Sequence, residues 1–238
     1  MPAYPNSTTN AYNDFQMGNM NVAYQTPDPN RQHFARTNAQ TIAQRIVLLK
    51  ELVPAVNTIA EICCGDCLRQ YQAYRKQLGI QVYHGLDIDR EIVVANQNRG
   101  IACYYGDALD KDNLRRFVTS EVIFFGPPLS VACDGHKLLS YGNVLPSYRD
   151  FAKLLLDGLS YTGMFICICP NTTTLGDVAK LHYQIRSYRE DFNLRVIHHS
   201  YSTITGNDEQ TEMRLKYIEL WFSDKHDDLW ELRESKPT

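Results

Sequence analysis

No stretch of the 238 residues approaches the ~20 consecutive apolar side chains that a membrane-spanning helix requires. The N-terminus has no charged start followed by an apolar stretch, so no secretory leader is expected and a cytoplasmic address is. Neither sign of charge dominates: 24 Lys and Arg face 27 Asp and Glu, a formal net charge of −3. A general electrostatic pull toward nucleic acid or anionic lipid is thereby absent, although a local basic patch fits under such a total. Two basic groups stand out, Arg69, Arg75 and Lys76, and later Arg186, Arg189 and Arg195. Either is more often a solvated face than a phosphate track. Residues 1–30 contain no Leu or Ile and are rich in Asn, Thr, Pro and Tyr. They lack the apolar surface to offset chain ordering and are expected to be a disordered N-terminal tail. The seven cysteines are odd in number, which favours reduced thiols over a disulfide framework. No internal repeat is visible.

The rest of the chain has the composition of an ordinary globular protein, 44% hydrophobic and 21% charged, and suits one domain. From Arg31 the pattern becomes helical, with Ile42, Ile46, Leu49 and Val53 at spacings of three and four before Pro54 closes it. Strands and helices then alternate. Short apolar strands are expected at Thr58–Cys64, Gln81–Leu86, Ile101–Tyr105, Val122–Phe125 and Met164–Cys169. Between them lie helices through Tyr71, Tyr74 and Leu78, through Ile92 and Val93, through Leu114 and Phe117, and over Tyr148–Leu159. Two strands of more alternating character, Leu194–Tyr201 and Leu215–Phe222, flank the polar turn Gly206-Asn207-Asp208. This order predicts an α/β protein with a Rossmann-like parallel sheet, helices on both faces and a C-terminal antiparallel hairpin. The domain is expected over 31–223, with 224–238 as a C-terminal tail.

Ligands of such sheets bind beyond the carboxyl ends of the strands. Three acids fall at those ends. Glu61 precedes the turn Cys63-Cys64-Gly65-Asp66-Cys67; Asp87 closes strand two; Asp107 follows strand three. An acid after strand two can accept both hydroxyls of a ribose. One after strand three can accept a proton from an adenine amino group. An acid beneath the first turn favours a cationic ligand end over a pyrophosphate, which would want bare backbone N–H groups.

Residues 58–128 resemble the class I S-adenosylmethionine-dependent methyltransferases, and the coarser match runs over about residues 40–223. Glu61-Ile62-Cys63-Cys64-Gly65-Asp66-Cys67 is similar to their acidic, glycine-rich first motif. Gly85-Leu86-Asp87-Ile88-Asp89 resembles the ribose-binding motif, and Gly106-Asp107-Ala108 the adenine-binding one. The resemblance implies S-adenosylmethionine as cofactor, held by Glu61, Cys63, Gly65, Asp87, Ile88, Asp107 and Ala108. In this role Glu61 supports the methionine end, Gly65 lets the backbone approach it, Asp87 holds the ribose and Asp107 the base. Cys63 and Cys67 stand where the family usually has glycine.

Strand four ends in Phe124-Phe125-Gly126-Pro127-Pro128-Leu129-Ser130. This resembles the motif with which amino-group methyltransferases grip a planar nitrogen: Asp, Asn or Ser, then Pro-Pro, then an aromatic residue. Prolines fix φ and donate no hydrogen bond, so the turn offers rigid carbonyl acceptors to an NH₂ group. Gly126 and Leu129 depart from the motif, removing a side-chain acceptor and a stacking ring. The candidate catalytic set is therefore Gly126, Pro127 and Pro128 with Ser130, Asp134 and His136 as substitute acceptors or bases. The expected reaction is methyl transfer to nitrogen, with a nucleobase of RNA or DNA slightly preferred. A small-molecule acceptor and a non-catalytic cofactor-binding protein are the alternatives. Cys64 and Cys67 with Cys133 and His136 also have zinc-ligand spacing, but the overlap with the cofactor turn argues against it and no metal is expected. The loop from Ser130 to Pro146, with Tyr141, and the helix after Arg31 are candidate lids over the acceptor.

Overall fold

The computed structural model describes residues 39–129, 141–205 and 210–235. The expected tail over 1–30, the helix start at Arg31 and the turn Gly206-Asn207-Asp208 lie outside these residues, as do Ser130, Cys133, Asp134 and His136.

Helix α1 (Ala39–Leu52) ends where the sequence places Pro54. Three strand–helix units follow: β1 (Thr58–Ile62) and α2 (Leu68–Leu78), β2 (Val82–Asp87) and α3 (Arg90–Gln97), β3 (Ala102–Tyr105) and α4 (Lys111–Leu114). Local chemistry sets their limits. Gly79 closes α2 in the left-handed conformation at φ 74°, while Asp89 and Asp110 cap α3 and α4 by accepting backbone N–H bonds. Then come β4 (Val122–Phe125), α5 (Tyr148–Lys153, widening into a π turn over Leu154–Gly158), β5 (Met164–Pro170) and α6 (Leu175–Tyr188). A capping box between Thr174 and Asp177 starts α6. Strands β6 (Asn193–Thr205), β7 (Gln210–Ser223) and β8 (Leu229–Ser235) complete the chain.

The strands form one eight-stranded sheet in the order β3-β2-β1-β4-β5-β7-β6-β8. Strands β1 to β5 pair in parallel, and β7 runs antiparallel to both β5 and β6. The order reverses between β1 and β4, the switch point at which open sheets form their ligand crevice. Alternate residues serve two cores. Ile59, Tyr83, Phe124, Ile166 and Trp221 meet α1 and α2, whereas Ile62, Phe125, Phe165, Cys167 and Phe222 meet α5 and α6. Burying each large apolar side chain contributes roughly 1.5–3 kcal/mol.

Two expectations change. The segment 224–238 is not merely a tail, because β8 pairs in parallel with β6 from Arg195↔Leu229 to Tyr201↔Ser235 and forms the outer edge of the sheet. The hairpin is also longer than the apolar pattern indicates. Pro170, the end of β5, pairs with Tyr217, yet β6 and β7 remain paired as far as Thr205↔Gln210. The hairpin thus runs on as an arm past the carboxyl end of β5. Among the described residues, no helix is long and apolar enough to cross a membrane.

Candidate functional site

The turn after β1 lies at the switch point, and backbone bonds to its neighbours define its shape. Cys64 N donates to Leu86 O at 3.0 Å, and Gly126 N donates to Ile62 O at 3.0 Å. The ends of β2 and β4 are thus drawn to either side of β1. Cys63 and Gly65 both take positive φ, 58° and 53°. Cys63 therefore adopts a glycine-like conformation despite its side chain, which costs on the order of 1–2 kcal/mol. A Cβ placed on Gly65 would meet nothing within 4 Å, so open space lies over the backbone there.

Asp87 is buried to 9% exposure and ties the turn to β2. Its Oδ2 accepts from Gly65 N at 2.8 Å and its Oδ1 from Asp89 N at 2.9 Å. Burial raises its pKa, and these backbone donors oppose the rise. Each carboxylate oxygen has a second lone pair, so both remain able to accept a ligand hydroxyl. Ile88 beside it is 67% exposed, leaving an apolar side chain free to cover a ligand. Asp107 is exposed, with its Oδ1 accepting from Leu109 N at 2.8 Å, while Ala108 is buried. The half-buried Cys63 thiol has its pKa pushed up by burial, then by the charges of Asp87 and Asp107. Gly106 N donates to Asp87 O at 3.0 Å, so the ends of β2 and β3 lie side by side next to this turn.

Glu61, one residue before the end of β1, is buried on the face of the sheet covered by α1 and α2. It is 5% exposed, and its Oε1 has no hydrogen-bond partner. Burial pushes its pKa up to about 7; Arg45 and then Tyr83 counter the rise, and Glu219 adds to it.

A feature the sequence reading missed supports the turn from below. Asn96, fully buried on α3, donates to Gly65 O at 2.8 Å. Cys64 packs against Cys103 of β3 with the sulfurs 3.5 Å apart. A Cβ on Gly85 would fall 2.9 Å from the Cys64 sulfur and 3.1 Å from that of Cys103, so glycine at 85 makes room for the thiols. Cys67 starts α2 without a side-chain cap bond, and Asp66 instead accepts from Leu68 N at 3.3 Å and pairs with Arg99 at 2.9 Å. The cysteines here fill volume as small hydrophobes. Among the described residues, no group of three or more His, Cys, Asp or Glu is placed to hold a metal.

On the reaction side, Gly126 is half-buried, Pro127 buried and Pro128 exposed. A Cβ at Gly126 would stand 3.1 Å from Ile168 Cδ1, so a larger residue requires the tip of that side chain to give by a few tenths of an ångström. Behind the motif, Phe125 stacks on Phe151 at 3.9 Å and Tyr141 on Tyr148 at 4.9 Å, while the Tyr148 hydroxyl donates to Ile168 O at 2.8 Å. Tyr141, expected in a lid, is instead buried in this aromatic wall. Two members of the late basic group are engaged within the protein. Arg195 is buried and pairs with Glu51 at 3.1 Å, and Arg189 pairs with Asp191 at 2.6 Å while lying over Phe192.

No family model and no curated protein sequence matches this chain. Solved structures do. The methyltransferase domain of bacterial CtHen1 aligns with a TM-score of 0.52 at 11% identity, over 77% of this chain and 97% of that one. An S-adenosylmethionine-dependent methyltransferase from Agrobacterium tumefaciens aligns at 0.56 and 10% identity, over 82% and 65%. PH1948 from Pyrococcus horikoshii, a candidate RNA methyltransferase, aligns at 0.50 and 14%, over 90% and 98%. The chain has the class I methyltransferase fold. At these identities the likeness concerns the fold, and the chemistry rests on the side chains described above.

Proposed function

We propose that the chain is an S-adenosylmethionine-dependent methyltransferase acting on a nitrogen of a planar heterocycle, with a nucleobase of RNA or DNA preferred. The observation that carries the cofactor reading is Asp87, bonded to Gly65 N and to the backbone just before Asp107, beside a turn whose Gly65 faces open space. The residues fit the cofactor's parts. Asp87 has spare acceptor capacity for two ribose hydroxyls, Asp107 is exposed to receive an amino group, and Ile88 can cover the adenine. The unpartnered oxygen of Glu61 suits a cationic amino-acid end. When bound, the cofactor supplies a methyl group already activated on sulfur.

The chain's own contribution is then mainly orientation. The Gly126-Pro127-Pro128 turn offers carbonyl acceptors for an NH₂ group, held in place by the Gly126–Ile62 bond and the aromatic wall behind it. Ser130, Asp134 and His136 are the candidates to complete the acceptor site or remove its proton. The arm of β6 and β7 extends past the same end of the sheet and could form a wall for a large acceptor.

Gly126 supports a second reading, since it supplies no side-chain acceptor: a protein that keeps the cofactor and has lost transfer. Incubation with methyl-labelled cofactor and separate pools of total RNA, DNA and small metabolites distinguishes the two. Label in RNA or DNA, abolished by Pro127→Ala with Pro128→Ala, is the expected outcome. Label confined to the small-molecule pool overturns the nucleobase preference, and none in any pool favours the non-catalytic reading.

A further inference from the structure

Between α1 and the strands β6 and β7, a buried polar cluster spans three elements. Arg45 lies in the middle of the apolar face of α1, 1% exposed, and its Nε donates to Glu219 Oε1 of β7 at 2.6 Å. The other oxygen of Glu219 accepts from Trp221 Nε1 at 3.0 Å and lies 3.3 Å from His199 Nε2 of β6. His199 in turn contacts Gln44 Oε1 through Nδ1 at 2.8 Å and stacks on Tyr217. The Arg45 guanidinium sits 4.9 Å above the ring of Phe124, which is paired in register with Glu61. Arg45 is thus fastened at one end by Glu219 and rests over the strand beside Glu61.

Two buried carboxyl groups share one guanidinium, which can bond directly to only one of them. Glu219 takes the direct bond to Arg45. Although burial by itself would raise its pKa, Arg45 and then His199 hold it down to about 2. Glu61 gains the longer-range field of Arg45 and a smaller contribution from Tyr83, and its Oε1 makes no hydrogen bond. We infer that Arg45 is a positioning residue for Glu61, acting from the buried Arg45–Glu219–His199 cluster to ready that carboxylate for the cationic amino-acid end of the cofactor. What Glu61 receives rests on the cofactor reading above; the coupling between Arg45 and Glu61 does not.

The groups that bear on Glu61 are Arg45 from α1, Tyr74 from α2, Tyr83 on β2 and Glu219 on β7, with His199 and Tyr217 behind Glu219. Only Arg45 and Glu219 act with opposite signs as full charges. Carboxyl-carbon NMR titration of the ligand-free protein, with Glu61→Gln identifying the resonance, reads the coupling directly. The Glu61 midpoint is expected to move up by about one pH unit or more in Arg45→Met and down in Glu219→Gln, with Arg45→Lys between wild type and Arg45→Met. Opposite signs from two substitutions in one ion pair are not what generic loosening produces. Should Arg45→Met fail to fold, the charge-neutral Arg45→Met/Glu219→Gln protein still raises the midpoint, since Arg45 is the stronger influence. An unchanged midpoint in a folded variant overturns the inference. Calorimetry of S-adenosylhomocysteine against pH gives the second readout, with affinity rising through the Glu61 midpoint and that rise displaced upward in Arg45→Met. A flat profile in a wild type that binds overturns the link to the ligand. A wild type that binds nothing overturns the cofactor reading, and the carboxyl titration then decides the role of Arg45 alone.

Discussion

At Glu61, folding favours the neutral carboxyl, whereas the proposed cofactor contact needs the anion. In the folded chain its pKa is raised to about 7 from an ordinary value of 4.5, so the folded state holds a proton that the unfolded state has released. Its contribution to stability is complete below the unfolded value and is lost as pH rises through the folded one. Glu61→Gln removes the charge while keeping the shape. It is therefore expected to leave stability almost unchanged near pH 4.5 and to raise it by about 3 kcal/mol at pH 8, as read by urea unfolding at both pH values. The same variant should lose cofactor affinity. Glu219 behaves in the opposite sense. With its pKa held down to about 2, its stabilising effect is present above the ordinary carboxylate range and lost as pH falls through the folded value. Glu219→Gln, which leaves Arg45 buried without its anion, is expected to cost about 3–5 kcal/mol at neutral pH in the same measurement.

At the scale of elements, the edge strand β8 makes a testable claim of its own. It covers β6 over seven register positions, and Asp228 just before it accepts from Leu194 N at 2.7 Å. A chain ending at Asp228 should keep its parallel strands and expose the β6 edge. Hydrogen exchange is expected to quicken at Val196 to His199 on β6 with little change at Ile59 to Ile62 on β1, and the truncated chain should associate through the bare edge. Equal protection of β6 in both chains would contradict this. This strand was not legible in the sequence because Leu229-Trp230-Glu231-Leu232 is short and follows a charged stretch, so its pattern matches a polar tail. The core strands were legible for the opposite reason. Val122–Phe125 and Met164–Cys169 are apolar on both faces, as strands buried between two helical layers must be. Glu219 also left a signal, an acid inside the run from Tyr217 to Phe222, as Arg45 did within the apolar stripe of α1. Neither identifies its partner across 174 residues of chain, which only the fold brings to 2.6 Å.

Across the whole molecule, the candidate cofactor residues are better defined than the proposed reaction. The sequence reading places Asp87 and Asp107 after strands two and three, and the parallel sheet puts both of those ends on one side. The substitution of Cys63 for glycine looks like a break in the motif, yet the backbone keeps the positive φ of 58° there. The packing of Cys64 with Cys103 against Gly85 was invisible because it joins three strands by volume alone. The acceptor stays least legible, since Gly126 and Leu129 remove the side chains that would name it. All of the proposed chemistry depends on the cofactor site. Isothermal titration calorimetry of S-adenosylmethionine and S-adenosylhomocysteine into the full chain tests it, with Asp87→Ala as control. The account predicts saturable binding of both ligands at a single site, weakened by about a hundredfold or more in Asp87→Ala as two charged hydrogen bonds are lost. Absence of binding by the folded wild type at millimolar ligand, or equal affinity in the variant, would contradict it.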